Sequence, residues 1–570
     1  MAKDKVNIYI DDQELEVDAD STVLEAAQAI GKNIPNLCYL KEKNVIGACR
    51  VCLVEIENTG KLAASCITPV SEGLKIQTNN KRVRDTRKMN LEFLLSNHDV
   101  ECPSCLSNDD CDLRKIAEDL GIREIRFEGK KSSFKKDYST PSIIRDPEKC
   151  ILCRRCENIC KEVQSVEAIS TDGRGFDTVV NTTFFANLME STCVMCGQCT
   201  LVCPTGALTE REYIDDVWDL LSDPDKHVVV QTAPAVRVAL SEAFGKQAGA
   251  ICTGEMVAAL RKLGFDKVYD TNFTADLTIL EEGTELINRI NNNEKLPLFT
   301  SCSPGWIKFI EQYYPDYLEH VSSCKSPQQM FGALANSYYI EKEGIEKEDL
   351  AVVSIMPCTA KKYEAQREEM KGDVDYVLTT RELARMIKQA GLDLNDLGSE
   401  DFDLLMGSST GAGAIFGSTG GVMEAALRTA YDLITGEELK EIDFESIRGF
   451  EGIKKAAVNI DGLEVKVAVA HGLANARKIF ELIKNGEQFH FVEFMTCPGG
   501  CLGGGGQPLA ASEEVLQKRM DAIYEIDKKK EYRKSHENPY IQKLYEEYLD
   551  EPGSEKAHQL LHTKYIKRGS

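Results

Sequence analysis

Apolar and polar positions alternate with a period of two at the start of the chain, at Val6, Ile8 and Ile10, which predicts a strand over residues 6–10. A polar turn and a second short strand, 14–17, follow. The period then changes, and Val23, Leu24, Ala27 and Ile30 share one helical face behind a Ser21-Thr22 cap. Beyond residue 210 the pattern changes again, to short apolar runs of the kind that buried strands show. Runs at 227–231, 267–270, 298–300, 351–355, 466–469 and 491–494 are separated by stretches of helical period such as 257–263 and 382–390. This alternation predicts an α/β domain with two lobes. From about 530 to 570 the sequence reads as a charged helical segment that wraps that domain.

A chain of 570 residues is several domains long. Its net charge of −24 argues against nucleic acid and against an anionic membrane surface as partners. No apolar run approaches the roughly 18 residues that a membrane helix needs, and the first residues carry neither a signal-peptide core nor a twin-arginine signal. A cytoplasmic location is expected. The 21 cysteines cluster at metal-ligand spacings, so they read as reduced ligands rather than as disulfides.

The spacing C-x2-C-x2-C-x3-C occurs at Cys150, Cys153, Cys156 and Cys160, and again at Cys193, Cys196, Cys199 and Cys203. Two such runs predict a two-cluster ferredoxin, in which the fourth cysteine of each run reaches across to the other [4Fe–4S] cube. Cys203 therefore belongs with Cys150, Cys153 and Cys156, and Cys160 with Cys193, Cys196 and Cys199. Structural zinc knuckles are the alternative for C-x2-C pairs, but each run here has four cysteines. Nearer the start, Cys38, Cys49, Cys52 and Cys66 follow the two strands and the helix, an order of elements that suits a β-grasp [2Fe–2S] domain. Their spacing departs from the plant-type C-x4-C-x2-C run, so the cluster type rests on a resemblance to the amino-terminal domains of large redox enzymes. His98, Cys102, Cys105 and Cys111 resemble the His-ligated [4Fe–4S] module of respiratory NADH dehydrogenase large subunits and of iron-only hydrogenases. Imidazole is a competent iron ligand, and only three cysteines lie in this segment. The stretch 122–140 reads as a charged linker. Fifteen of the 21 cysteines, with His98, thus supply four clusters in single file, a wire that must lead to a catalyst.

Three loops at the ends of predicted strands carry the remaining chemistry: Thr300-Ser301-Cys302-Ser303-Pro304-Gly305-Trp306, Met356-Pro357-Cys358-Thr359-Ala360-Lys361-Lys362-Tyr363-Glu364, and a third from Glu493 through Cys497 and Cys501 to Gly506. Strand-end loops are where α/β folds converge on a ligand. The last loop lacks the Lys and Ser or Thr of a phosphate-binding P-loop. The run Gly411 to Gly417 is one residue too long for a dinucleotide fingerprint, and reads as a close-packing loop. The three loops resemble the TSCCPxW, MPCxxKxxE and ExMxCxxGCxxGGG signatures of [FeFe]-hydrogenases, and the accessory domains resemble the long members of that family from end to end.

That resemblance implies an H-cluster, a [4Fe–4S] cube sharing a cysteine with a diiron unit that carries CO, cyanide and azadithiolate. It implies Cys358, Cys497 and Cys501 as cube ligands, Cys501 bridging, with Lys361 near a cyanide and Ala233, Pro234, Gln328, Met356 and Met495 lining the pocket. It further implies Cys302 as the proton-donating thiol and a path through Glu285, Ser322 and Glu282 toward Arg289 and solvent. Glu282, Glu285 and Arg289 are three and four residues apart, so they share a helix face; a solvated charged stripe is the alternative for that face alone. The expected organisation is a [2Fe–2S] domain at 1–78, a His/Cys3 [4Fe–4S] domain at 79–126, a two-[4Fe–4S] ferredoxin domain at 127–209, and an H-cluster domain at 210–570.

The sequence departs from the signature where Ser303 stands for the usual fourth cube ligand, and Thr496 stands where alanine is common. Ser303, Cys324 and Cys302 are the candidates for the open position, with Cys302 favoured as the proton donor because its motif aligns without a gap and because a thiol titrates near neutrality when its surroundings lower its pKa. Cys252 reads as a core thiol. The implied function is reversible reaction of two protons and two electrons with H2, with ferredoxin or a similar carrier as partner. The alternatives are the catalytic subunit of an NAD- and ferredoxin-linked bifurcating complex with flavin- or NAD-binding subunits, and a hydrogen-sensing relay with weak turnover. A third reading, a molybdenum-containing NADH or formate dehydrogenase subunit, is opposed by the three loops.

Overall fold

The computed structural model describes residues 4–439, 442–460, 462–509 and 512–568. The first module is a five-stranded sheet in which Lys5–Ile10 pairs antiparallel with Gln13–Asp18 and parallel with Lys75–Gln77, which continues through Leu53–Ile56 to Lys61–Ala64. The predicted cap is present: Thr22 Oγ1 accepts from Glu25 N while the Glu25 carboxylate accepts from Thr22 N, so two otherwise orphaned donors are satisfied at the start of Val23–Ala29. Ile8, Ile10, Val23, Leu24 and Ala27 are completely buried, so both predicted periods point inward.

The six predicted apolar runs are strands of two separate sheets. In one, His227–Thr232, Lys267–Asp270, Leu350–Met356 and Tyr376–Thr379 are all parallel. In the other, Leu298–Phe299, Phe491–Met495 and Leu463–His471 are parallel and Ile453–Ile460 closes the edge antiparallel. The two strands absent from the sequence reading are both edge strands. Tyr376–Thr379 is four residues long and runs straight into the helix that Thr379 caps, and Ile453–Ile460 exposes alternate polar positions. The Gly411 to Gly417 segment is a short helix, Gly411–Ile415, rather than the expected loop. Its glycines do serve close packing: a Cβ on Gly411 would collide with Asp527 Oδ1, and one on Gly413 with the Asn272 carbonyl.

Between the sheets runs a 22-residue helix, Thr271–Asn292, which is buried over its first half and emerges toward its end. The C-terminal segment, with helices Pro539–Leu544 and Glu555–Leu561, lies against this helix, where Tyr545 Oη donates to Glu281 at 2.5 Å. Ion pairs join the cysteine-rich modules to the α/β region. Glu210 accepts from Arg381 at 2.6 Å and from Arg385 at 2.8 Å, all three largely buried. Burial alone would raise the Glu210 pKa, yet the two guanidiniums outweigh it and hold the carboxyl far below its usual range.

Candidate active site and cluster sites

The cysteines come together as the spacings require. Cys52 Sγ lies 3.3 Å from Cys66 Sγ, and Cys38 and Cys49 are buried with them. His98 is buried beside the Cys102–Ser104 turn, its Nδ1 has no protein partner, and burial pushes its pKa down to about 4, so the ring is a neutral donor ready for a metal. A Cβ on Gly206 would lie 2.7 Å from Cys105 Sγ, so only glycine lets the neighbouring loop approach that thiol. One small cavity is lined by Cys150, Cys153, Cys156 and Cys203, and a second by Cys160, Cys193, Cys196 and Cys199. Each cavity thus gathers cysteines from both runs.

The three loops enclose one further cavity, lined by Cys358, Cys497 and Cys501, by Cys302 and Ser303, and by Ala233, Pro234, Gln328, Met356, Lys361 and Met495. Thr271, Ala275, Pro327 and Phe416 complete the wall and carry no signal in the sequence, because small and apolar side chains occur everywhere in a core. Cys196, which lines the second ferredoxin cavity, also lines this one. The two sites are pressed together: Thr359 Oγ1 donates to the Met195 carbonyl at 2.8 Å, Gln198 Nε2 donates to the Gly503 carbonyl at 2.8 Å, and a Cβ on Gly505 would collide with the Cys196 carbonyl.

Two expectations for this pocket are corrected. Cys324 does not line the cavity; it is wholly buried behind it, and its carbonyl accepts from Ser301 Oγ at 2.7 Å. Of the candidates for the open position, Ser303 and Cys302 remain on the wall, and Ser303 Oγ is hydrogen-bonded to Thr496 Oγ1 at 2.8 Å, the residue that replaces the common alanine. The surroundings of Cys302 do not lower its pKa: burial, and then the charge of Glu282, push the thiol well above its ordinary value, so it is held as a protonated SH.

Glu364, which the sequence left without a role, organises the pocket base. Its Oε2 accepts from Lys361 Nζ at 2.8 Å, Ser326 Oγ at 2.8 Å and Gln328 Nε2 at 3.2 Å, fixing the ammonium and the amide toward the cavity. Glu493, the first residue of the third motif, is structural: it accepts from the Gly420 and Met423 amides at 2.6 and 2.8 Å at the start of helix Gly421–Thr435.

The polar residues expected beyond Cys302 form a row. Glu282 is buried, and burial raises its pKa to about 8, while the neighbouring Ser322 pulls the other way. Ser322 Oγ donates to Glu285 Oε2 at 3.1 Å, and Glu285 Oε1 accepts from Arg289 at 2.5 Å. The other Arg289 donors end on the carbonyls of Lys295, Glu319, His320 and Val321.

Sequence comparison assigns residues 226–505 to the iron only hydrogenase large subunit, C-terminal domain, and 513–568 to the iron hydrogenase small subunit. Residues 3–81, 87–126 and 149–207 match a 2Fe-2S iron-sulfur cluster binding domain, an NADH-ubiquinone oxidoreductase-G iron-sulfur binding region and a 4Fe-4S dicluster domain. The chain is 51% identical to the NADP-reducing hydrogenase subunit HndD of Solidesulfovibrio fructosivorans, over 99% of each chain. It is 40% identical to iron hydrogenase 1 of Clostridium pasteurianum, over 98% of this chain and all of that one. A variant of the apo [FeFe]-hydrogenase HydA1 of Chlamydomonas reinhardtii superposes with a TM-score of 0.57 at 42% identity, covering 63% of this chain and 100% of that chain. With three cysteine-bearing loops closing on one cavity and a file of cysteine sites leading to it, the chain belongs to the iron-only hydrogenase family.

Proposed function

We propose that the chain interconverts H2 with two protons and two electrons at an H-cluster held by Cys358, Cys497 and Cys501. The observation that carries this is the cavity itself: it is walled by three thiols, a buried ammonium and Cys302, and it touches the last ferredoxin site through Cys196. The residues present fit the group. Soft thiolates suit an iron–sulfur cube, and Gln328 Oε1 and the Lys361 ammonium sit on an otherwise apolar wall suited to small diatomic ligands. When bound, the H-cluster supplies the redox chemistry that makes or breaks the H–H bond.

The chain's own residues handle protons and electrons. Cys302, held protonated, donates into the cavity and is recharged from Glu282, whose pKa of about 8 keeps it protonated yet able to release at neutral pH. Ser322, next to Glu282, donates to Glu285, and Arg289 anchors Glu285 at the outer end. One [2Fe–2S] cluster in the β-grasp module and three accessory [4Fe–4S] clusters would supply the electron transfer, and the residues that would hold the innermost, Cys160, Cys193, Cys196 and Cys199, form the site in contact with the catalytic loops. Ser303 is the wall residue that would offer an oxygen to the open cube position, and Cys302 stays the proton donor.

The external carrier is ferredoxin or a similar small protein. A second reading, a catalytic subunit working with nicotinamide-linked subunits, is favoured by the 51% identity to a subunit of an NADP-reducing hydrogenase. It also agrees with the packing of Gly411–Ile415, which leaves no nucleotide cradle there. Hydrogen uptake and evolution by the matured holoprotein, with its iron content and EPR spectrum, test the proposal. Absence of both activities in protein with a full iron complement and intact CO and cyanide infrared bands refutes it.

A further inference from the structure

Behind the active-site wall, three side chains of different chemistry converge. A Glu285 carboxylate oxygen, Cys324 Sγ and a His562 ring nitrogen all lie within 4.8 Å of one another. They come from three separate segments: the long helix, the strand-end loop after Val321, and the C-terminal tail. The backbone pins them in place through a bridge between Cys324 and His562, and through a Thr563 N–H that donates to the Ser323 carbonyl at 2.7 Å.

The surroundings of His562 are those of a metal ligand. Its Nε2 lies 2.9 Å from the fully buried Glu281 carboxylate, which is itself held by Tyr545 Oη at 2.5 Å and the Gly553 amide at 2.9 Å. A carboxylate on one ring nitrogen fixes the tautomer that leaves the other nitrogen as a lone-pair donor, the arrangement seen behind metal-bound histidines. That other nitrogen, Nδ1, lies 2.8 Å from Ser323 Oγ, which is in turn 3.1 Å from Glu285 Oε2, so its lone pair, held by a hydroxyl that an incoming ion displaces, faces the Glu285 side. A sulfur, an imidazole nitrogen and a carboxylate oxygen, with a hydroxyl or water in fourth place, make a tetrahedral set for a borderline-soft divalent ion of the Zn2+ class. Oxygen-seeking Mg2+ and Ca2+ have no use for the thiol and the imidazole.

We propose that Glu285, Cys324 and His562 form a regulatory Zn2+-class site, and that occupancy of this site shuts off hydrogen turnover. On binding, Cys324 becomes the thiolate ligand and its proton leaves to solvent, while the Glu285 carboxylate turns from Ser322 and Ser323 to the ion. The ion then removes the link between Ser322 and the outer end of the row. This consequence rests on the proton route proposed above; the site does not.

Matured holoprotein, handled anaerobically, is incubated with ZnCl2 and desalted, and bound zinc is measured by mass spectrometry. Wild type retains one zinc more than Cys324→Ala, and His562→Gln gives the same deficit should the alanine variant fold poorly. The zinc absorption edge of the wild type shows a single sulfur at about 2.3 Å with nitrogen and oxygen neighbours. Turnover of wild type falls about tenfold or more at saturating zinc, MgCl2 has no effect, and Cys324→Ala keeps its unmetallated activity when zinc is added. Equal zinc retention by wild type and both variants overturns the site. Extra zinc at the site with undiminished turnover overturns the shut-off, and with it the route through Glu285.

Discussion

Replacing Glu282 with glutamine separates the two things this residue does. The carboxyl is 2% exposed, and burial raises its pKa to about 8 from an unfolded value of 4.5. At pH 7 it is therefore protonated about ten to one, and glutamine is a neutral near-isostere of the form present. A raised carboxylate pKa means that the folded state binds the proton more tightly than the unfolded state. The stability this confers is fully present below pH 4.5, falls as pH rises through the window to about 8, and then levels off. The interval from 4.5 to about 8 corresponds to a loss on the order of 5 kcal/mol across that window in wild type, which Glu282→Gln removes. The variant should accordingly match or exceed wild-type thermal stability at pH 9. Its turnover should nevertheless collapse by about 10²–10⁴-fold, because an amide cannot relay a proton to Cys302. The assays are anaerobic thermal unfolding at pH 5 and pH 9, and hydrogen evolution from a reduced viologen. Retention of more than about half of wild-type turnover removes Glu282 from the proton route. A wild-type pH dependence of stability in the variant shows that the carboxyl is not a buried neutral acid.

Cys302→Ala should keep full iron content and the CO and cyanide infrared bands while losing most turnover, whereas Ser303→Ala should disturb those bands; loss of the cluster from Cys302→Ala would make Cys302 the ligand. Glu210→Gln leaves Arg381 and Arg385 without their buried partner, and should lower stability by about 3–5 kcal/mol near neutral pH, read as a drop in the unfolding midpoint. Because the Glu210 pKa is depressed, that ion-pair stability is present above the unfolded carboxylate value and is lost only as pH falls toward the folded one, so the variant should also lack the wild type's acid-induced weakening. His98→Ala should lower the iron count by about four per chain and remove one [4Fe–4S] EPR signal, while activity with a small reductant that enters nearer the active site persists.

How far the sequence reaches depends on where the chemistry is carried. A ferredoxin cysteine run is local, so the spacings of Cys150 to Cys203 already imply the two cavities, each lined by cysteines of both runs, that the structure contains. The Thr22–Glu25 cap and the inward faces of the first strand and helix are equally local, since each follows from residues two to four apart. Edge strands such as Ile453–Ile460 escape because only one face is buried and the apolar signal is halved. Glu364 and Cys324 mark the deeper boundary. Glu364 matters because Ser326, Gln328 and Lys361 meet on it, and Cys324 is a cavity candidate by sequence position but is turned away from the cavity, toward Glu285 and His562. His562 lies 238 residues beyond Cys324, and no periodicity links them. The grouping of the cysteines is legible because it follows from local spacing, whereas the polar row behind Cys302 and the contact between Cys196 and the catalytic loops depend on which side chains packing brings together, and only the folded chain decides that.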